Sequence, residues 1–105
     1  MTMDVLAELQ AWMASHCDGE WEHQYGVTID TLDNPGWSVK IDLKDTKLLG
    51  VAFEEKTVDR SEKDWLACRV REATFEGYGG VFNLREILEV FLGWANASGA
   101  VPRPT

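Results

Sequence analysis

Cysteine, histidine and proline are scarce in this 105-residue chain, at two, two and three residues, and basic side chains are outnumbered by acids. Cys17 and Cys68 are too few for a disulfide framework, so they read as free thiols in a reducing compartment. The soft metal ligands amount to His16, Cys17, His23 and Cys68. Neither C-x-x-C nor H-x-x-x-H spacing is present, and neighbours such as His16 and Cys17 point about 100° apart on a helix. No metal and no cofactor is expected. Apolar runs stay too short to span a bilayer. Met1-Thr2-Met3-Asp4 carries an acid where a secretory signal has bases, and Glu8 interrupts what would be its apolar stretch. The expected location is therefore the cytoplasm. Repeats and low-complexity segments are also missing, as are a Ser-His-Asp spacing, a phosphate-binding glycine loop and a nucleotide motif.

The shortage of bases matters most. Ten Lys and Arg against eighteen Asp and Glu leave a net charge of −8. Such a surface repels phosphate backbones and anionic lipid, which argues against nucleic-acid or membrane binding. It attracts a basic partner and speeds encounter with one. Acidity also serves solubility alone, and composition does not separate the two roles.

What is present is enough apolar material, 45% of the residues, for one core. The spacing of Val5, Leu6, Leu9, Trp12 and Met13 predicts an amphipathic helix over residues 4–17, capped by Asp4 and stopped near Gly19. Alternation from Trp21 through His23, Tyr25, Val27 and Ile29 predicts a strand. Asp33-Asn34-Pro35-Gly36 then predicts a reversal, with Gly36 supplying the positive φ of a type II turn. Trp37, Val39, Ile41 and Leu43 form the inner face of the return strand. Further strands are expected at 56–59 and 64–71, where Leu66, Cys68 and Val70 oppose Trp65, Ala67, Arg69 and Arg71. A short strand at 74–76 precedes a glycine run, Gly77-Tyr78-Gly79-Gly80, read as flexible. Asn83 and Glu86 predict a capping box for a last helix, with Phe82 stapled to Ile87 and Gly99 as its end. The reading is one α+β domain over 1–99 with a flexible tail at 100–105. An N-terminal helix, a four- to five-stranded antiparallel meander and a C-terminal helix would put both helices on one sheet face.

Catalysis finds little support in these residues. Cys68 has Arg69 and Arg71 near it in sequence, which would activate a thiol, yet alternation sends both cations to the opposite face. Sulfurtransferases of the rhodanese type need a cysteine opening a glycine-containing loop in an alternating α/β chain, and neither is present. Pairs such as Glu54-Glu55 arise readily in an acid-rich sequence. Five tryptophans are more informative. Trp12 and Trp94 fall on helices, and Trp21 and Trp37 on the expected paired strands. Trp65 faces away from the core, either as an interaction anchor or beneath a covering segment.

The runs Trp21-Glu22-His23-Gln24-Tyr25-Gly26-Val27, Thr31-Leu32-Asp33-Asn34-Pro35-Gly36-Trp37 and Ile41-Asp42-Leu43 resemble the immunity protein 53 family. Asp64-Trp65, Cys68-Arg69-Val70, Phe75-Glu76-Gly77, Gly79-Gly80 and Asn83-Leu84 leading to Phe91 and Trp94 fit the same pattern, so the likeness runs from about Leu9 to Ala95. The resemblance implies a small bacterial cytoplasmic protein, encoded beside a polymorphic toxin that it neutralises. It supplies no catalytic residues. Together with the charge it leads to an expected toxin-binding surface in which Asp30, Asp33, Glu54, Glu55, Asp59, Glu62 and Asp64 donate charge. Trp65 is the expected aromatic anchor, with His23 and Tyr25 as further contacts, and a basic, nuclease-like active site is the expected target. The competing expectation is a small-ligand-binding or regulatory domain whose pocket is lined by Trp21, Tyr25 and Trp37.

Overall fold

A computed structural model of the chain describes residues 4–98. Its elements are α1 (Val5–His16), α2 (Trp21–Gln24), β1 (Val27–Leu32), β2 (Gly36–Asp42), β3 (Lys56–Ser61), β4 (Asp64–Arg71), β5 (Thr74–Gly79) and α3 (Leu84–Ala97). The strands form one open antiparallel sheet in the order β1-β2-β5-β4-β3. The expected α+β architecture therefore holds, but the sheet is not one continuous meander: the long connection 43–55 carries the chain to the far edge, so the hairpin β1–β2 and the meander β3–β4–β5 join through β2 and β5. Helix α3 lies across the central strands and α1 packs beside it, so one sheet face is covered and the other is open. The Gly99 stop and the tail at 100–105 lie outside the described residues.

Sequence alternation sorts the two faces. Val39, Ile41, Leu66, Cys68 and Phe75 point inward and are buried. They meet Ile87, Leu88, Phe91 and Leu92 from the wide apolar stripe of α3. Burying each large apolar side chain contributes about 1.5–3 kcal/mol. An aromatic chain runs through this core: Trp12 meets Phe91 edge-on at 5.0 Å, Phe91 meets Phe75 at 5.1 Å, and Phe53 meets both Phe75 and Trp94. The connection 43–55 closes over the same side. Leu43 and Leu48 are buried in it, and the Trp21 and Trp94 indoles donate to the Lys44 and Ala52 carbonyls at 2.8 and 2.9 Å.

Helix α1 begins as expected, with the Asp4 carboxylate accepting from the Ala7 N–H at 3.1 Å. Its buried stripe is Val5, Leu9 and Trp12, which leaves Leu6 66% exposed. Strand β4 has the expected bounds.

Four local expectations are corrected. Trp21–Gln24 is a helical turn and the strand starts only at Val27. Asp18 accepts from the Glu20 and Trp21 N–H groups while Glu22 accepts from those of Asp18 and Gly19, and this reciprocal cap overrides the alternating pattern. Backbone N–H donation from Trp21 and Glu20 holds the Asp18 carboxyl below its ordinary pKa. Gly36 does not take a positive φ; it opens β2 opposite Leu32, and a Cβ there would run into the Gly79 carbonyl oxygen. Residues 77–79 of the glycine run are the second half of β5 and all three glycines of the run are buried, because α3 presses on the strand: a Cβ on Gly77 would meet Ile87 Cγ2. Phe82 does not staple to Ile87 but stands 87% exposed.

The β4–β5 turn carries Glu72 and Ala73, both at positive φ (52° and 59°), as in a type I′ turn usually made by Asn-Gly. The Ala73 carbonyl accepts from the Leu43 N–H at 2.9 Å, which fixes the turn against the long connection.

Candidate partner-binding site

At one end of the sheet three connections converge. They are residues 33–35 between β1 and β2, 62–63 between β3 and β4, and 80–83 between β5 and α3. Asn34, Pro35, Glu62, Lys63, Val81 and Phe82 line a cleft of about 390 Å³ there.

Asn83 organises this end and is the one buried polar side chain among the described residues. It stands at the first position before α3, but it makes no capping bond. Its Oδ1 instead accepts from the Trp65 N–H at 3.3 Å, and its Nδ2 donates to Asp64 at 2.9 Å and Glu86 at 3.2 Å. Arg60 completes the cluster, donating to Asp64 at 2.7 Å and to Glu86 through both terminal guanidinium nitrogens. Asn83 and then Arg60 hold the Asp64 carboxyl below its ordinary pKa, and Arg60 foremost does the same to Glu86. The two carboxylates keep the guanidinium charged.

Of the residues singled out from sequence, the fold brings Asp33, Asp59, Glu62, Asp64 and Trp65 to this end. Asp59 pairs directly with Trp65 across β3 and β4, so both project from the open face. Asp30 lies on the same face further along β1, opposite Ser38. Asp64 is committed to Arg60 and Asn83, whereas Asp33, Asp59 and Glu62 are exposed. Counting Glu86, the end carries five carboxylates against Arg60 and Lys63.

Glu54 and Glu55 are not part of it. They precede β3 at the opposite end, where Glu55 borders a shallow cavity with Arg69 and Tyr78. Arg69 is held there by a 2.7 Å ion pair to Glu76. His23 and Tyr25 also lie at that far end, on and just after α2. Tyr25 and Trp21 border a polar cavity with His16, Asp18, Glu20 and Asp45 that Trp37 does not reach. Trp21, Tyr25 and Trp37 therefore share no pocket, since the Trp37 indole donates to the Val81 carbonyl at 2.8 Å at the other end of the sheet.

Sequence reading missed Phe82 and Asn83 as parts of this end. The available signal was the pair Val81-Phe82 directly after three glycines in four residues, an apolar step with no periodic partner.

Among the described residues no three His, Cys, Asp or Glu side chains gather as metal ligands. Cys68 is buried, and burial pushes its thiol from 9.0 up to about 11, the reverse of an activated nucleophile. Among the described residues no helix is long and apolar enough to cross a membrane.

A small α+β domain with one open sheet face and an acidic, aromatic end has features suited to binding another protein. The profile of the immunity protein 53 family matches residues 6–96, and the chain belongs to that family. In general terms this assigns an immunity function and a toxin as partner. No curated protein and no solved structure matches the chain.

Proposed function

We propose that this chain neutralises a cognate bacterial polymorphic toxin in the cytoplasm by covering a basic, nuclease-like active site with its acidic sheet end, without catalysis of its own. The observation that carries the reading is the convergence of Asp33, Asp59, Glu62 and Asp64 with Trp65 at one end of the sheet. Clustered carboxylates raise encounter rates with a basic surface, and a half-buried indole beside them supplies contact area at little entropic cost.

Co-expression with the toxin domain encoded beside its gene tests the reading. Growth is expected to be rescued, with a direct complex whose association slows as salt rises. Joint reversal of the exposed charges, Asp33→Lys with Glu62→Lys, is expected to lower the association rate by roughly tenfold or more. Absence of rescue and of a complex refutes the immunity reading for this chain. Rescue through a salt-insensitive complex refutes the charge-led part and moves the binding energy to the aromatic residues.

A further inference from the structure

Loop 80–83 is braced on both sides of Phe82, at Gly80, Val81 and Asn83. The Gly80 N–H donates to the Trp65 carbonyl at 3.0 Å, and the Asn83 N–H closes the turn onto the Gly80 carbonyl at 3.0 Å. The Trp37 indole holds the Val81 carbonyl, and the buried Asn83 side chain ties the loop to β4. Gly80 itself has no room for a side chain, since a Cβ would lie 2.6 Å from the Lys63 carbonyl oxygen.

The product of this bracing is an exposed ring. Phe82 is 87% exposed and Val81 43%, and they share a cleft with Pro35, Glu62 and Lys63. A ring so exposed adds little to the fold, and with Val81 and Pro35 it makes an exposed apolar patch of the kind that marks an interaction site.

We propose that Phe82 is the anchor of the toxin contact, a preformed prong that enters an apolar pocket rimmed by lysine or arginine side chains on the toxin. The inference rests on the immunity reading and names the contact within it. Glu62 and Lys63 line the cleft beside the prong and Asp33 directly precedes its Asn34, so two exposed acids against one exposed base fit a basic rim. The same charges disfavour a second copy as occupant, because self-docking through this end would set carboxylates against carboxylates in a chain of net charge −8. Because the loop is already ordered, binding loses little conformational entropy, the condition under which one aromatic residue carries much of an interface.

The test is calorimetric titration of the purified toxin domain encoded beside the gene with wild type, Phe82→Ala and Phe82→Leu, with melting temperature and oligomeric state measured for each. Phe82→Ala is expected to weaken binding by roughly 30-fold or more, mainly through faster dissociation, with the melting temperature unchanged. Phe82→Leu is expected to recover most of the affinity. If wild type binds and Phe82→Ala binds within about threefold of it, the anchor is refuted and the immunity reading stands. A wild type that neither binds nor rescues overturns both. A wild-type dimer that Phe82→Ala converts to monomer overturns the proposal in favour of a self-contact.

Discussion

Gly77 is where the fold tolerates a side chain least. It sits in the central strand β5 facing α3, and a Cβ added there would collide with Ile87 Cγ2 and come within 3.2 Å of Phe75 Cε2. Ile87 is wholly buried and branched at Cβ, so its methyl cannot swing away within a helix. Gly77→Ala therefore overpacks the core, an effect of about 1–3 kcal/mol, against which the lower entropy of the unfolded chain returns about 0.4–1 kcal/mol. The expected net loss is about 1–2 kcal/mol, read by urea unfolding, or a fall of about 5–15 °C in melting temperature. A double-mutant cycle isolates the cause. Ile87→Ala alone costs about 2–5 kcal/mol by leaving a cavity, but it also removes the offending methyl. In that background Gly77→Ala is expected to be neutral or stabilising, a coupling of about 1–3 kcal/mol. An equal penalty for Gly77→Ala in both backgrounds refutes the close helix–strand contact. The same substitution is expected to reach the proposed partner site, because lifting the first turns of α3 from β5 would pull on Asn83 and slacken loop 80–83.

Three further outcomes follow from the geometry. Asn83→Asp keeps an acceptor for the Trp65 N–H but sets a third carboxylate against Asp64 and Glu86. Both carboxyls have lowered folded-state pKa values in the wild type, so they stabilise it above the ordinary carboxylate range and that stability is lost as pH falls through their folded values. The variant is expected to be less stable near pH 7, with a deficit that shrinks near pH 3; a deficit equal at both, by urea unfolding, contradicts the cluster. Ala73→Gly is expected to stabilise by about 1 kcal/mol, because glycine adopts the positive φ of this turn without the Cβ penalty, and an unchanged unfolding midpoint argues against strain there. A disulfide reagent at neutral pH is expected to label exposed Cys17 in the native protein and Cys68 only after unfolding. The Cys68 thiol titrates near 11 when folded against 9.0 ordinarily, so its contribution is intact below about pH 9 and stability declines as pH rises from there to about 11.

Residues whose inward and outward neighbours alternate without interruption announced their strands, as Leu66, Cys68 and Val70 did for β4. The same signal misled at Trp21, His23 and Tyr25, where a local cap between Asp18 and Glu22 settled the backbone before any sheet contact could. Gly77 to Gly80 read as slack because glycine is permissive, whereas here it is small: the lack of side chains lets α3 settle onto the sheet. The candidate site was legible as residue types but not as a place. Asp59, Glu62 and Asp64 share one hairpin, but Asp33 reaches the same end only through the strand order, and the same acid-rich composition put Glu54 and Glu55 at the far end. Phe82 was misplaced because an apolar residue ahead of a helix usually packs against its first turn, while here Asn83 turns its side chain back to β4 and carries Phe82 outward.

Strand β5 is the keystone of the sheet and also the last strand to leave the ribosome. Residues 74–79 pair with 37–42 on one side and with 66–71 on the other, so before they emerge the two earlier hairpins have no shared neighbour and each exposes a bare inner edge. Loop 80–83 and α3 follow directly behind. Sheet closure, core burial and the seating of Phe82 thus fall within a single late step, seconds after the first helix has been synthesised. Under the proposed function, a chain cut before residue 80 lacks both the loop and α3 and is expected to give no protection.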